Sequence, residues 1–142
     1  MSVVKSKQSE GKLVVVTKAR DLAEYTLKIC SNEKNFPKRY RWCLTGKIVE
    51  SAINIHNGVN MANSVFVKDE SDYLLRKSYQ TRALAETYSL LGMVDIAYKT
   101  YGLESSRVEY WTRLVKDVQV LIRNWRKAEC EKHDNEESNI GQ

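Results

Sequence analysis

Two classes of side chain in this sequence could do chemistry: histidines and cysteines, which hold metals or attack substrates, and clustered lysines and arginines, which hold phosphates. The three cysteines, Cys30, Cys43 and Cys130, are odd in number and show no CxxC spacing. With two histidines they complete no zinc-ligand pattern, so no metal is expected and the thiols read as reduced. His56 would need an orienting acid and a nucleophile to act as a general base, and no local spacing supplies them. GxSxG, P-loop, HExxH and GxGxxG motifs are absent, as is the Glu-x-x-His pair of di-iron bundles. The expectation is a non-enzymatic chain with no cofactor.

The basic residues are more suggestive. In "NEKNFPKRYRWCLTGKI", Lys34, Lys38, Arg39, Arg41 and Lys47 are interleaved with Tyr40 and Trp42, and no acid lies between Glu33 and Glu50. Further on, Arg113, Lys116, Arg123 and Lys127 fall in one helical stripe, interrupted by Val120, with Glu109 placed to pair with Arg113. The net charge is +5, but four acids and one lysine occupy residues 131–142, so the preceding 130 residues carry +8. A basic body with an acidic tail suits a polyanionic partner. Lys34, Lys38, Arg39, Lys47, Arg113, Lys116, Arg123 and Lys127 are the candidate nucleic-acid contacts.

These charges need elements to carry them. One proline and six glycines are too few for the turns of a sandwich or barrel, so long helices are expected. Residues 1–12 read as a flexible N-terminal arm. A first helix from about Val15 to Asn32 is marked by Val15, Ala19, Leu22, Thr26 and Ile29 at 3–4 spacing. Pro37 suits the first turn of a second helix reaching about Ala62. Asp69, Glu70 and Asp72 open a third, closed by Gly102 near Thr100. Ser106 and Glu109 form a capping box for a fourth, to about Glu131. Residues 132–142 read as an acidic, disordered tail. The fold class is all-α: an antiparallel up-down-up-down four-helix bundle over residues 13–131.

The second and third helices each show two apolar stripes. On the second, Leu44, Ile48, Ala52, Ile55 and Val59, with Tyr40 at the margin, oppose Trp42, Val49 and Ile53. On the third, Tyr73, Leu84, Tyr88, Leu91 and Tyr98 form one stripe. Leu75, Tyr79, Ala83, Leu90, Met93, Val94, Ala97 and Tyr101 form the other. A helix buried on two sides needs a second partner, so Trp42, Val49, Ile53, Leu75, Tyr79 and Leu90 are assigned to a homo-oligomer interface. The fourth helix has one apolar face: Val108, Trp111, Val115, Val118, Ile122 and Trp125. Arg41 and Asp95 fall near apolar stripes and are expected to form a buried ion pair.

The stretch "FPKRYRWCLTGKI" resembles the Phe-Pro-Lys-Lys-Tyr-Arg pattern of the accessory variability determinants of diversity-generating retroelements. These belong among the four-helix-bundle proteins related to ribosomal-RNA intervening-sequence proteins. "LAETYSLLGMVDIA" and "LIRNWRK" are similar to the family in style, and the resemblance spans about residues 15–128. It implies a non-catalytic, basic homopentameric barrel that partners a reverse transcriptase and binds its template RNA or cDNA. The matching positions are Pro37, Lys38, Tyr40 and Arg41; Arg39 and Trp42 add charge and bulk, and the arm and acidic tail are extra to the family pattern.

The leading expectation is therefore a cytoplasmic, oligomeric, nucleic-acid-binding accessory of a reverse transcriptase. The alternative is a stand-alone protein-protein adaptor whose basic faces dock an acidic protein. No apolar run approaches membrane-spanning length, and the N-terminus lacks a signal-peptide apolar region.

Overall fold

The computed structural model describes residues 3–140, with side chains described over 14–139. Four helices follow one another: α1, Val3–Cys30; α2, Gly46–Ser64; α3, Glu70–Tyr101; and α4, Ser105–Ile140. A 3₁₀ turn at Lys38–Tyr40 and a π turn at Arg41–Thr45 lead into α2. Among the described residues there is no strand. α1 packs on α2 and α4, and α3 packs on α2 and α4, so the helices form a ring around one core.

The predicted faces of α1, α2 and α4 are the buried ones. Val15, Ala19, Leu22, Thr26 and Ile29 from α1 meet Ile48, Ala52, Ile55 and Val59 from α2, and Trp111, Val115, Val118 and Ile122 from α4. Each set repeats every three to four residues, which keeps one helix side against the core. Burying these side chains stabilises the fold by roughly 25 cal/mol for each Å² of apolar surface removed from water.

α3 differs from the sequence expectation. Its inward face runs Tyr73, Arg76, Gln80, Ala83, Leu84, Thr87, Leu90, Val94 and Ala97. This face lies between the two predicted stripes and draws on both, with three polar side chains that apolar patterning passes over. Thr87 Oγ1 donates to Leu84 O at 2.6 Å and accepts from Gln119 Nε2 at 3.1 Å. Across the core, Trp111 Nε1 donates to Thr26 Oγ1 at 3.0 Å, while that hydroxyl donates to Leu22 O at 2.8 Å. Gln80 Nε2 is the exception, a buried donor with no partner among the described residues.

Arg76 supplies the buried ion pair that was expected elsewhere. Its Nη1 donates to Glu129 Oε1 of α4 at 2.7 Å, and Trp125 Nε1 donates to the same oxygen at 3.1 Å. Its Nε donates to Ala62 O at 3.1 Å and its Nη2 to Val65 O. The guanidinium thus satisfies carbonyls at the end of α2, where no next turn can do so. The expected Arg41–Asp95 pair does not form. Arg41 is exposed and reaches Glu33 at 3.3 Å, eight residues upstream; Asp95 is exposed and pairs with Lys99 at 3.7 Å. The π turn redirects Arg41 toward the α1–α2 corner, and Asp95 lies outside the polar-containing strip that α3 buries.

Helix ends follow local chemistry. Asp69 caps α3 by accepting from Asp72 N at 2.9 Å, and Gly102, at φ 68°, ends it in the left-handed region that favours glycine. The Ser106–Glu109 capping box is not formed: Ser106 Oγ donates to Glu104 Oε1 at 2.7 Å, one residue before α4 begins. Gly46 follows the π turn, where a Cβ would stand 2.9 Å from Arg41 O. Both outer helices exceed their expected lengths. Of the expected N-terminal arm, residues 1–2 lie outside the described residues, and the backbone is helical from Val3. α4 continues to Ile140 through the segment expected to be a disordered tail; residues 141–142 lie outside the described residues.

Candidate functional site

The candidate phosphate contacts separate into two groups. Lys34, Lys38 and Arg39 occupy the α1–α2 corner, with Lys47 in the first turn of α2. The corner is held by aromatic packing on the end of α3. Tyr40 stacks on Tyr101 with centroids 5.2 Å apart, and Phe36 meets Tyr101 edge-on at 5.4 Å and Trp111 at 6.1 Å. Thr45 Oγ1 and Tyr101 Oη share a hydrogen bond of 2.8 Å. Burial raises the Tyr101 pKa against the opposing effect of that hydrogen bond, so its hydroxyl is neutral at physiological pH.

Not every charge at this corner is available to a ligand. Glu33 sits 3.6 Å from Lys38 Nζ and 3.3 Å from Arg41 Nη2, neutralising part of the strip. Lys34, Arg39 and Lys47 are exposed and have no carboxylate within the 4.0 Å ion-pair distance among the described residues. Arg39 lies over the Tyr40 ring, 5.0 Å from its centroid, so this ring face is already occupied by a cation.

The second group runs along α4. Arg113, Lys116 and Lys127 are exposed and Arg123 is half-buried. The expected Glu109–Arg113 ion pair is not formed, and none of the four has a carboxylate within 4.0 Å among the described residues. Arg123 Nη2 instead donates to Tyr88 Oη of α3 at 2.7 Å. An open groove of about 530 Å³ follows the seam between α3 and α4, lined by Tyr98, Val108, Glu109, Arg113, Lys116 and Asp117. Ser105 and Thr112 also line it, so Tyr98 and Val108 are its only apolar or aromatic lining among the described residues, and its charges are of both signs. Such a groove can seat a planar or apolar group beside a phosphate, while Glu109 and Asp117 oppose close approach along part of its length. α2 and α4 lie across the ring of helices from one another, and the corner reaches α4 through Phe36 on Trp111.

The residues assigned to self-association divide likewise. Trp42 is 88 % exposed on the π turn; Ile53 and Leu75 are also exposed, and Val49 and Tyr79 are half-buried. Tyr79 lines a shallow cleft at the α2–α3 seam with Asn54, Asn57, Met61, Arg82 and Glu86. Leu90 does not belong with them. At 0 % exposure it is a core residue, because the buried face of α3 passes through it. Beneath the cleft, a Cβ on Gly58 would stand 3.0 Å from Ala83 Cβ, so α2 and α3 approach closely there.

His56, half-buried, meets Asn60 Nδ2 through Nε2 at 3.2 Å. Among the described residues, no helix is long and apolar enough to cross a membrane. No family model, curated protein or solved structure matches this chain.

Proposed function

We propose that this chain is a non-catalytic, self-associating four-helix bundle that binds single-stranded nucleic acid through its backbone, and that its partner is a reverse transcriptase. The observation that carries the nucleic-acid reading is the set of exposed cations without carboxylate partners among the described residues: Lys34, Arg39 and Lys47 at one corner, Arg113, Lys116 and Lys127 along α4. Phosphates can displace only counterions from such groups, so binding draws on counterion release and carries little sequence preference. Cross-helix pairs running in opposite senses, Arg76–Glu129 then Thr87–Gln119, support an antiparallel α3–α4 pair, as an up-down-up-down order requires.

Self-association through Trp42, Ile53 and Leu75 would repeat both basic groups around one assembly. The pentameric ring and the reverse-transcriptase partner rest on the sequence resemblance. A cytoplasmic setting agrees with three cysteines free in the fold.

The test is a gel-shift titration with single-stranded RNA and DNA over a range of salt. Affinity should fall with salt at a slope of about −0.7 for each phosphate engaged. Arg113→Glu/Lys116→Glu/Lys127→Glu should lose binding with helix content unchanged. A slope near zero, or binding unaffected by the triple reversal, overturns the electrostatic mechanism. No nucleic-acid shift, together with nuclease-resistant capture of the reverse transcriptase, would favour the protein-only adaptor.

A further inference from the structure

The acidic end of α4 returns to the start of α3 and builds a cluster that the nucleic-acid reading leaves unused. His133 Nε2 lies 2.6 Å from Glu70 Oε2 and 3.5 Å from Glu137 Oε1. Ligand-type atoms of these three residues all lie within 4.8 Å of one another. Asp134 Oδ1 stands 3.6 Å from the other ring nitrogen, Nδ1. The imidazole is 17 % exposed and stacks on Tyr73, with centroids 3.8 Å apart and planes 6° from parallel. Tyr73 is itself buried and bonded to Cys130 Sγ at 3.2 Å, so the ring is held by a fixed support.

We propose that Glu70, His133 and Glu137 form a binding site for a divalent transition-metal ion of the zinc class. Three features converge on it. His133 and Glu137, one turn apart on α4, present their atoms to the same point, and Glu70 completes the set from α3. Tetrahedral zinc, with bonds of about 2.0–2.2 Å, places its ligand atoms roughly 3.3–3.6 Å apart. The His133–Glu137 separation already has that value; exposed Glu70 must draw back by somewhat under an ångström. Asp134, behind Nδ1, is where an outer carboxylate orients a metal-binding imidazole.

Charge points the same way. Glu70, Asp134 and Glu137 face one imidazole, so even a protonated His133 leaves two negative charges with no lysine or arginine within 4.0 Å among the described residues. A divalent ion supplies two positive charges to a neutral imidazole, and the displaced proton passes to solvent. One nitrogen with two carboxylates favours zinc-like ions over magnesium, which prefers all-oxygen coordination. The open side leaves room for water, and bound metal would clamp the end of α4 to the beginning of α3.

The experiment is isothermal titration of Zn²⁺ into metal-free full-length protein, with Mg²⁺ as comparison, alongside amide hydrogen exchange over residues 131–139. One saturating Zn²⁺ per chain is expected, with slower exchange in that segment and no comparable Mg²⁺ binding. His133→Ala and Glu137→Gln should each weaken Zn²⁺ binding at least about tenfold, with far-ultraviolet circular dichroism verifying that each variant is folded. Glu136→Gln and His56→Ala should bind as the parent does. Absence of saturable Zn²⁺ binding overturns the proposal. So does affinity unchanged by either ligand substitution.

Discussion

The Arg76 guanidinium and the Glu129 carboxylate form a 2.7 Å ion pair whose side chains are 9 % and 18 % exposed, and the same guanidinium closes the end of α2. Three helices therefore meet at one charge. Removing one partner strands the other in a site built to exclude water. Arg76→Ala should destabilise the fold by about 3–5 kcal/mol in chemical denaturation. Glu129→Gln, which keeps an acceptor, should cost less. A double-mutant cycle should show strong coupling, because the two substitutions remove one shared interaction.

Gln80 offers the opposite case. Its amide nitrogen is buried without a partner among the described residues, and a buried donor left unpaired costs about 1–3 kcal/mol. Gln80→Met keeps the length of the side chain and removes the unpaired group. The substitution should leave stability unchanged or raise it by about 1 kcal/mol or more, read as a higher denaturation midpoint at unchanged slope. Gln119→Met, which severs the bond to Thr87, should be destabilising.

Much of this architecture is legible in the sequence because apolar periodicity reports any helix whose buried face is apolar. Val15 to Ile29, Ile48 to Val59 and Trp111 to Ile122 are such faces. α3 is harder to read. Arg76, Gln80 and Thr87 occupy its inward positions, so pattern reading finds two stripes flanking the real face and sends Leu90 to the surface. The signal is the spacing itself: Tyr73, Arg76, Gln80, Ala83, Thr87, Leu90, Val94 and Ala97 keep an unbroken alternation of threes and fours. Regular helical spacing misplaces Arg41, because the π turn at Arg41–Thr45 puts it out of phase with the α2 face that follows. The His133 cluster joins residues 63 positions apart, beyond any local motif.

His133 also makes the end of α4 sensitive to pH. Its pKa is raised above the ordinary histidine value, first by the hydrogen bond to Glu70 and then by the charges of Glu70 and Glu137 and a contact with Asp134, against an opposing effect of desolvation. Tyr73 presents its ring and Lys77 lies 5.9 Å from that ring's centroid, so the facing charges are mainly acidic. A group whose pKa rises on folding stabilises most when protonated. With chelator present, docking of residues 131–139 should be tightest below about pH 6.5 and loosen as pH climbs through the elevated value. Hydrogen-exchange protection, corrected for intrinsic rates, should follow that sense in the parent and be flat in His133→Gln.

The thiols should be separable by reactivity. Burial pushes the Cys30 pKa up to about 12, which leaves almost no thiolate at neutral pH, whereas Cys43 is exposed on the π turn. Limited iodoacetamide at pH 8 should label Cys43 first and leave Cys30 unmodified until the protein is denatured. Peptide mass mapping reads this directly. Early labelling of Cys30 would mean that α1 opens more readily than its burial implies.

The polar bonds across the core, Trp111 to Thr26 and Gln119 to Thr87, have a mechanical consequence. Both tether α4, each to a different neighbour. An apolar seam can slide by one helical turn, about 5.4 Å, and re-engage much the same surface. Here such a step would break both tethers together and leave the indole N–H and the amide without partners, while the two hydroxyls kept only their bonds to Leu22 O and Leu84 O. α4 consequently has one seat along its axis, as a key with two wards fits a lock at a single depth. Force applied to its projecting end would be carried into the body of the molecule instead of being lost in slippage.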